Sequence, residues 1–265
     1  MTKPALRLLL GSACFCFSVV CMAEEDDKKL KADAEAGFLV TSGNTDSTAL
    51  KAKLDIKQDF EKWHNNYVFE GLYKENEVEI IENGETTKES QVTAEKYFGS
   101  LQTDFKLNKK HRGLFAFVSY EVDEFSGYDY QSTIAVGYAD RLFSTENSHL
   151  DYSLGPGLSI SQEEDTVENG VTVEEGEKQE SAVLRIAGAY VYKFSEHAKF
   201  TQTVSSDIAL ESDRNTKTRS ETAFTTQLSN AFSLRAAYTI SHNSEVPEDR
   251  ENMDSQTSIT LVYSY

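Results

Sequence analysis

Of 265 residues only three are proline, three are cysteine and one is tryptophan. The cysteines, Cys14, Cys16 and Cys21, sit together near the N-terminus, so the remainder of the chain has no thiol for a disulfide, a nucleophile or a cysteine metal site. Beyond the N-terminus no apolar run approaches the ~20 residues a membrane helix needs, which excludes a helical bundle in the bilayer. Basic residues are scarce as well: 26 Lys and Arg face 44 Asp and Glu, a formal net charge of −18. A nucleic-acid partner is excluded on that count, because phosphate binding needs a basic footprint. Amphipathic helical stretches, a G-x-S-x-G elbow and a phosphate loop are all missing. Thirteen Tyr and fifteen Phe are present, too much aromatic side chain for a chain that stays disordered.

The N-terminus reads as an export signal. Lys3 and Arg7 form a positive start, Leu8 to Val20 an apolar stretch, and Cys21-Met22-Ala23 puts small residues before a cut after Ala23. An uncleaved anchor is disfavoured because the apolar run is too short to span. A lipoprotein cut before Cys21 is disfavoured by bulky Val20. Without residues 1–23 the chain carries 24 basic against 44 acidic residues, a charge of −20. A short charged segment follows at 24–33, and residues 34–265 form the folded body.

That body alternates with period two. In Leu50-Lys51-Ala52-Lys53-Leu54-Asp55-Ile56-Lys57 apolar and charged side chains change faces at every step, as in a strand with one apolar and one wet side. Leu150 to Ile160 repeats the pattern, as do Leu114 to Val122 and Ala182 to Tyr192. Further segments at 34–42, 63–74, 91–107, 128–143, 199–210, 216–228, 232–242 and 254–265 bring the count to about twelve strands. Consecutive strands with mostly short polar connections predict an antiparallel meander.

An even number of roughly ten-residue alternating strands predicts a closed, up-and-down transmembrane β-barrel in the outer membrane of a Gram-negative-type envelope. The competing reading is a soluble sandwich or lipocalin-like barrel with its apolar faces inward. Four features favour the membrane. Short connections near 61–62, 108–112, 144–148, 195–197 and 229–231 alternate with connections that include long ones. Aromatics mark strand ends, at Trp63, Tyr67, Phe105, Tyr128, Tyr130, Phe143, Phe194, Phe200 and Phe232, where a ring buries its body and wets its edge. The last strand alternates Thr257, Ile259, Leu261, Tyr263 and Tyr265 and ends on an aromatic, resembling the signal read by the barrel-assembly machinery. Finally, the wet face is too charged for a dry core. Its lumen-lining candidates are Lys51, Lys53, Asp55, Glu121, Asp123, Arg141, Asp151, Arg185, Arg219, Glu221 and Arg235, with Glu70, Asp104 and Asp207 beside them.

Two connections predict hairpins projecting beyond the membrane, at Asn83-Gly84 and Asn169-Gly170, since Asn-Gly tolerates the positive φ of a tight turn. Glu163, Glu164, Asp165, Glu168, Glu174, Glu175, Glu177 and Glu180 make the second strongly anionic. This is either a solvated face or a place where divalent cations bridge to lipopolysaccharide phosphates. No EF-hand spacing occurs, and no metal ligands or cofactors are assigned.

The opening strand and turn, Ala34-Glu35-Ala36-Gly37-Phe38-Leu39-Val40-Thr41-Ser42-Gly43-Asn44-Thr45-Asp46-Ser47, resembles the start of the YdiY-like family of salt-induced outer-membrane proteins. Tyr138-Ala139-Asp140-Arg141-Leu142-Phe143, followed by Leu154-Gly155-Pro156-Gly157, is a second likeness. The resemblance covers residues 34–265 in strand layout and implies an outer-membrane barrel tied to salt or osmotic conditions. It brings no substrate and no catalytic residue. Physically, Gly155-Pro156-Gly157 permits a bend or a close approach.

Catalysis is not expected. His242-Asn243-Ser244 with Asn252 superficially fits the His-x-Ser pair of an outer-membrane phospholipase, but it falls where a strand meets a loop. Glu121 and Asp123 share a strand face and are expected to pair with Arg or Lys across the lumen. The expected role is a small-solute pore or an envelope-stability barrel. A lipid-active hydrolase and a structural or adhesive barrel are the alternatives. Expected partners are outer-membrane lipid and lipopolysaccharide, and the assembly machinery through the strand ending at Tyr265.

Overall fold

A computed structural model describes residues 30–41, 47–82, 85–107, 111–124, 126–168, 171–246 and 251–265. The signal segment and the Gly43-Asn44, Asn83-Gly84 and Asn169-Gly170 turns lie outside them.

Twelve strands close into one antiparallel barrel: β1 (Leu30–Thr41), β2 (Ser47–Asp59), β3 (Trp63–Glu82), β4 (Glu85–Lys106), β5 (Gly113–Asp123), β6 (Tyr128–Ser144), β7 (Ser148–Glu163), β10 (Lys178–Lys193), β11 (Ala198–Ala209), β12 (Lys217–Gln227), β13 (Phe232–Asn243) and β14 (Met253–Ser264). Between β7 and β10, β8 (Thr166–Glu168) and β9 (Val171–Glu174) form a separate two-stranded sheet. The expected ribbons therefore differ. β3 and β4 stay paired out to Glu82 opposite Glu85, through a register shift between Lys74 and Glu75, whereas the β8–β9 hairpin is cut off from the barrel sheet by Glu164-Asp165 and 175–177.

β1 begins four residues earlier than expected, with Leu30 opposite Gln58 and Asp33 opposite Asp55. Alanines at 32, 34 and 36 make its apolar face too faint to mark the strand's start.

Alternation sorts the side chains inside out. Leu50, Phe69 and Leu158 are 50%, 52% and 56% exposed on the outer wall, while Glu35, Lys51, Glu121, Arg185, Asp207 and Glu221 are all buried inside. A soluble barrel would show the reverse. Rings cluster where the short turns lie: Trp63 meets Phe105 edge-on at 5.0 Å, Tyr192 meets Phe194 at 4.9 Å and Phe232 meets Tyr263 at 5.4 Å. Tyr120 stacks on Tyr130 at 5.6 Å toward the opposite, loop end.

Tyr128 is an exception among the expected rim aromatics. A register shift between Tyr128 and Tyr130 turns it inward, where it is 2% exposed and its hydroxyl donates to the Glu245 carbonyl at 3.0 Å. Burial under the loops, with the Glu163 and Glu245 carboxylates nearby, pushes its phenol up to about 12. Just before it, Gly127 takes a φ of 79°, which the tight β5–β6 turn requires.

On the β6–β7 wall the ladder is interrupted between Ala135 opposite Gly157 and Tyr138 opposite Leu154. Pro156 supplies no N–H there, and Gly137 and Gly155 come so close that a Cβ on Gly155 would lie 2.6 Å from the Gly137 Cα. The space these glycines leave is filled from inside by Phe115, packed with Phe117 and Ala135.

Candidate functional site: the barrel lumen

Because strands alternate, every second residue of each barrel strand points into the barrel, and these positions carry the charges that pair there. Near mid-height they form a layer that crosses the interior. Arg219 on β12 reaches Glu70 on β3 at 2.6 Å, and Lys53 on β2 meets the same carboxylate at 3.2 Å. Lys53 also lies 3.9 Å from Glu221, which pairs with Arg235 at 2.5 Å. Arg235 bonds Glu35 on β1, whose other oxygen accepts from the Thr260 hydroxyl at 3.3 Å. Lys51 donates to the Ser258 hydroxyl at 3.3 Å.

A second group lies toward the loop end. Glu121 is held by Lys217 from across the barrel and by Lys96 at 3.3 Å; Lys96 also takes Asp123 at 3.1 Å, and Lys217 donates to Gln131 at 2.9 Å. A third joins Arg185 to Asp207 at 2.7 Å, with Thr133 donating to Asp207 at 3.0 Å and the Arg185 guanidinium 3.5 Å above the Phe117 ring. Near the turn end Arg141 grips Asp151 through two bonds of 2.5 and 2.9 Å and contacts His111 at 3.2 Å.

These groups divide the interior. On the turn side a cavity of about 670 Å³ is lined by Asp33, Asp55, Lys57, Lys199, Thr201 and Thr203, among others. On the loop side a chamber of about 60 Å³ is lined by Ser119, Ser159, Ser161, Ser181, Ser205 and Gln179 with Phe98 and Phe117. The two share no lining residue, and the ion pairs of Arg219, Glu70, Lys53 and Glu221 lie between them.

The structure thus brings Lys53, Glu121, Arg219, Glu221 and Arg235 into cross-barrel networks. It places Lys51, Asp123 and Arg185 in satellite pairs, and leaves Asp55, Arg141 and Asp151 toward the turn-end mouth, where Asp55 pairs with Lys57 at 3.3 Å. Glu121 takes Lys217 from across the lumen as expected, whereas Asp123 pairs with Lys96 on the neighbouring strand β4. Sequence reasoning missed Glu35, Lys96 and Lys217, and the inward Phe98, Phe115 and Phe117. Parity held the signal for Phe115 and Phe117, since they fall on the same face as Ser119 and Glu121.

In the other sequence candidate, Ser244 and Asn252 bond to backbone groups of the neighbouring loops. The Ser244 hydroxyl accepts from the Thr216 amide at 2.8 Å, and Asn252 donates to the carbonyls of Asn243 and Ser244 at 2.9 and 3.2 Å. These are loop-fastening bonds. Among the described residues no three His, Cys, Asp or Glu side chains are placed to hold a metal ion.

A closed antiparallel barrel with lipid-type side chains outside and paired charges inside defines an outer-membrane-type β-barrel. Residues 34–265 match the family described as "Protein of unknown function, DUF481", and the chain belongs to that family. It is 26% identical over 277 residues to the uncharacterized protein YdiY of Escherichia coli (strain K12), across 99% of this chain and 98% of that protein, so the resemblance carried by residues 34–47 holds over the whole length. Among solved structures, the translocator domain of autotransporter NalP from Neisseria meningitidis superposes with a TM-score of 0.50 at 8% identity, over 91% of this chain and 90% of that one. At that identity the likeness is one of fold.

Proposed function

We propose that this chain resides in the outer membrane and passes small hydrophilic solutes through a lumen narrowed by its own ion pairs. The observation that carries the reading is the pair of cavities, about 670 and 60 Å³, on either side of a charged layer of mixed sign. A structural barrel has no need of a wide wet vestibule, and a strongly ion-selective pore would line its constriction with one sign. Arg219, Lys53 and Arg235 here alternate with Glu70, Glu221 and Glu35, which suits small solutes of either charge or none.

The link to salt that the family resemblance implies has a physical basis in the same layer. Of its pairs, the most exposed to lumen water, Arg219 with Glu70, is the one that rising ionic strength weakens most. In this reading the short turns face the periplasm, the acidic loops face outward and the chain carries out no catalysis. Purified protein in planar bilayers tests the pore: discrete conductance steps are expected, growing faster than bulk conductivity between low and high KCl. A bilayer silent at every salt concentration refutes it and leaves an envelope-stability barrel.

A further inference from the structure

The outer wall carries one anomaly. On β11 and β12 the outward residues between Phe200 and Phe224 at the turn end and Ile208 at the loop end are Gln202, Val204, Ser206, Thr218, Ser220 and Thr222, nearly all polar. Each step to the next outward residue rises roughly 5 Å in a tilted strand, so the strip lies roughly 5–15 Å above the Phe200–Phe224 ring pair. That is inside the ~25 Å apolar band of such barrels. Other outward polar side chains are set apart from it. Asn65 and Thr103 bond at 2.6 Å just above the Trp63–Phe105 pair, and Ser255 and Thr257 on β14 are separated from the strip by Ile240 and Tyr238. On β5, β6 and β7 the same height holds Val118, Ile134 and Leu158, each strongly exposed.

The strip is bonded within itself. Gln202 Nε2 donates to Ser220 Oγ at 3.0 Å and to the Thr203 carbonyl at 3.3 Å, Thr222 Oγ1 donates to Gln202 Oε1 at 2.5 Å, and Ser206 and Thr218 share a bond of 2.7 Å. Capacity is left over. The Ser220 hydroxyl proton has no acceptor among these bonds, and Gln202 Oε1 retains a second lone pair.

We propose that this strip is the contact between two copies of the chain in the membrane. A two-fold axis along the barrel sets identical residues at identical depth, and an isologous contact must be self-complementary. A patch whose polar members all both donate and accept, with no charge and only Val204 apolar, meets that condition. The spare Ser220 proton of one copy suits the spare Gln202 lone pair of the other. A lipid neighbour offers neither group at this depth, so the bilayer leaves this capacity unused and a second copy uses it. The proposal rests on the membrane reading above.

The test is cross-linking in isolated outer membranes with a short bis-maleimide. Ser220→Cys should be captured largely as dimer. Phe69→Cys, on the far wall, should give only the background of the parent chain. In parallel, the Gln202→Leu/Ser220→Val/Thr222→Val variant should keep the heat-sensitive gel mobility of a folded barrel while its mass in detergent falls from two chains to one. A parent chain of single-copy mass in the membrane fraction overturns the interface alone, as does a dimer untouched by the triple variant or equal capture at both cysteines. A chain absent from the membrane fraction overturns the membrane reading and this one together.

Discussion

The pair that spans the barrel between Arg219 and Glu70 should show as a measurable coupling. Its charge centres are about 4 Å apart, which at an effective dielectric of about 20 corresponds to roughly 4 kcal/mol of gross attraction. Two features reduce that figure. Lumen water reaches Arg219, whose side chain is 23% exposed, and Glu70 keeps Lys53 when Arg219 is lost. A net coupling of about 1–2 kcal/mol is expected, above the usual range for exposed pairs and below that for fully buried ones. The assay is a double-mutant cycle with Glu70→Gln and Arg219→Met, using equilibrium urea unfolding in lipid vesicles. Trp63, the only tryptophan, reports from its place against Phe105. A coupling under about 0.5 kcal/mol, the level of an exposed pair, would refute a lumen narrowed by ionic contacts.

Three further outcomes are expected. Gly155→Ala drives a Cβ into the Val136 carbonyl and the Gly137 Cα, and should cost about 2–3 kcal/mol or abolish the folded gel band. Gly71→Ala, whose nearest neighbour is Tyr97 Cδ1 at 3.9 Å, should fold normally. Leu158→Arg on the outer wall should cost about 2–4 kcal/mol in urea unfolding from vesicles, whereas Thr203→Arg in the turn-side cavity should stay within about 0.5 kcal/mol; equal costs would contradict the inside-out arrangement. Phe117→Ala removes the ring under Arg185 and enlarges the loop-side chamber, so single-channel conductance should rise while stability falls by about 2 kcal/mol, and an unchanged conductance would dissociate that chamber from the pathway.

The barrel itself was legible in the sequence because period two is a strong signal wherever both faces are decorated. Lys51 to Lys57 and Leu150 to Ile160 announce their strands, and the charges on the wet faces announce the lumen. Less visible were features that depend on which strands stand opposite each other. Nothing in the sequence says that Arg219 meets Glu70 or that Lys217 meets Glu121, since the partners lie on distant strands and register sets the match. Tyr128 eluded the parity rule because a bulge resets it. β1 began unseen because alanine does little to distinguish a lipid-facing position from any other. Gly155-Pro156-Gly157 was readable as a bend, but not that Phe115 would occupy the space its smallness leaves.

Among the described residues, β1 and β14 share a ladder only from Asp33–Ala36 against Leu261–Ser264, extended by the paired bonds of Ala32 with Tyr265, whereas every other joint in the wall runs ten residues or more. The first and last strands also meet across the longest stretch of chain, so this joint pays the greatest loop-closure entropy for the fewest backbone bonds. Arg235 and Thr260 converge there on Glu35, from β13 and β14 onto β1. That carboxylate works as a clasp, tying β13 and β14 to β1 where the backbone ladder between first and last strand is shortest.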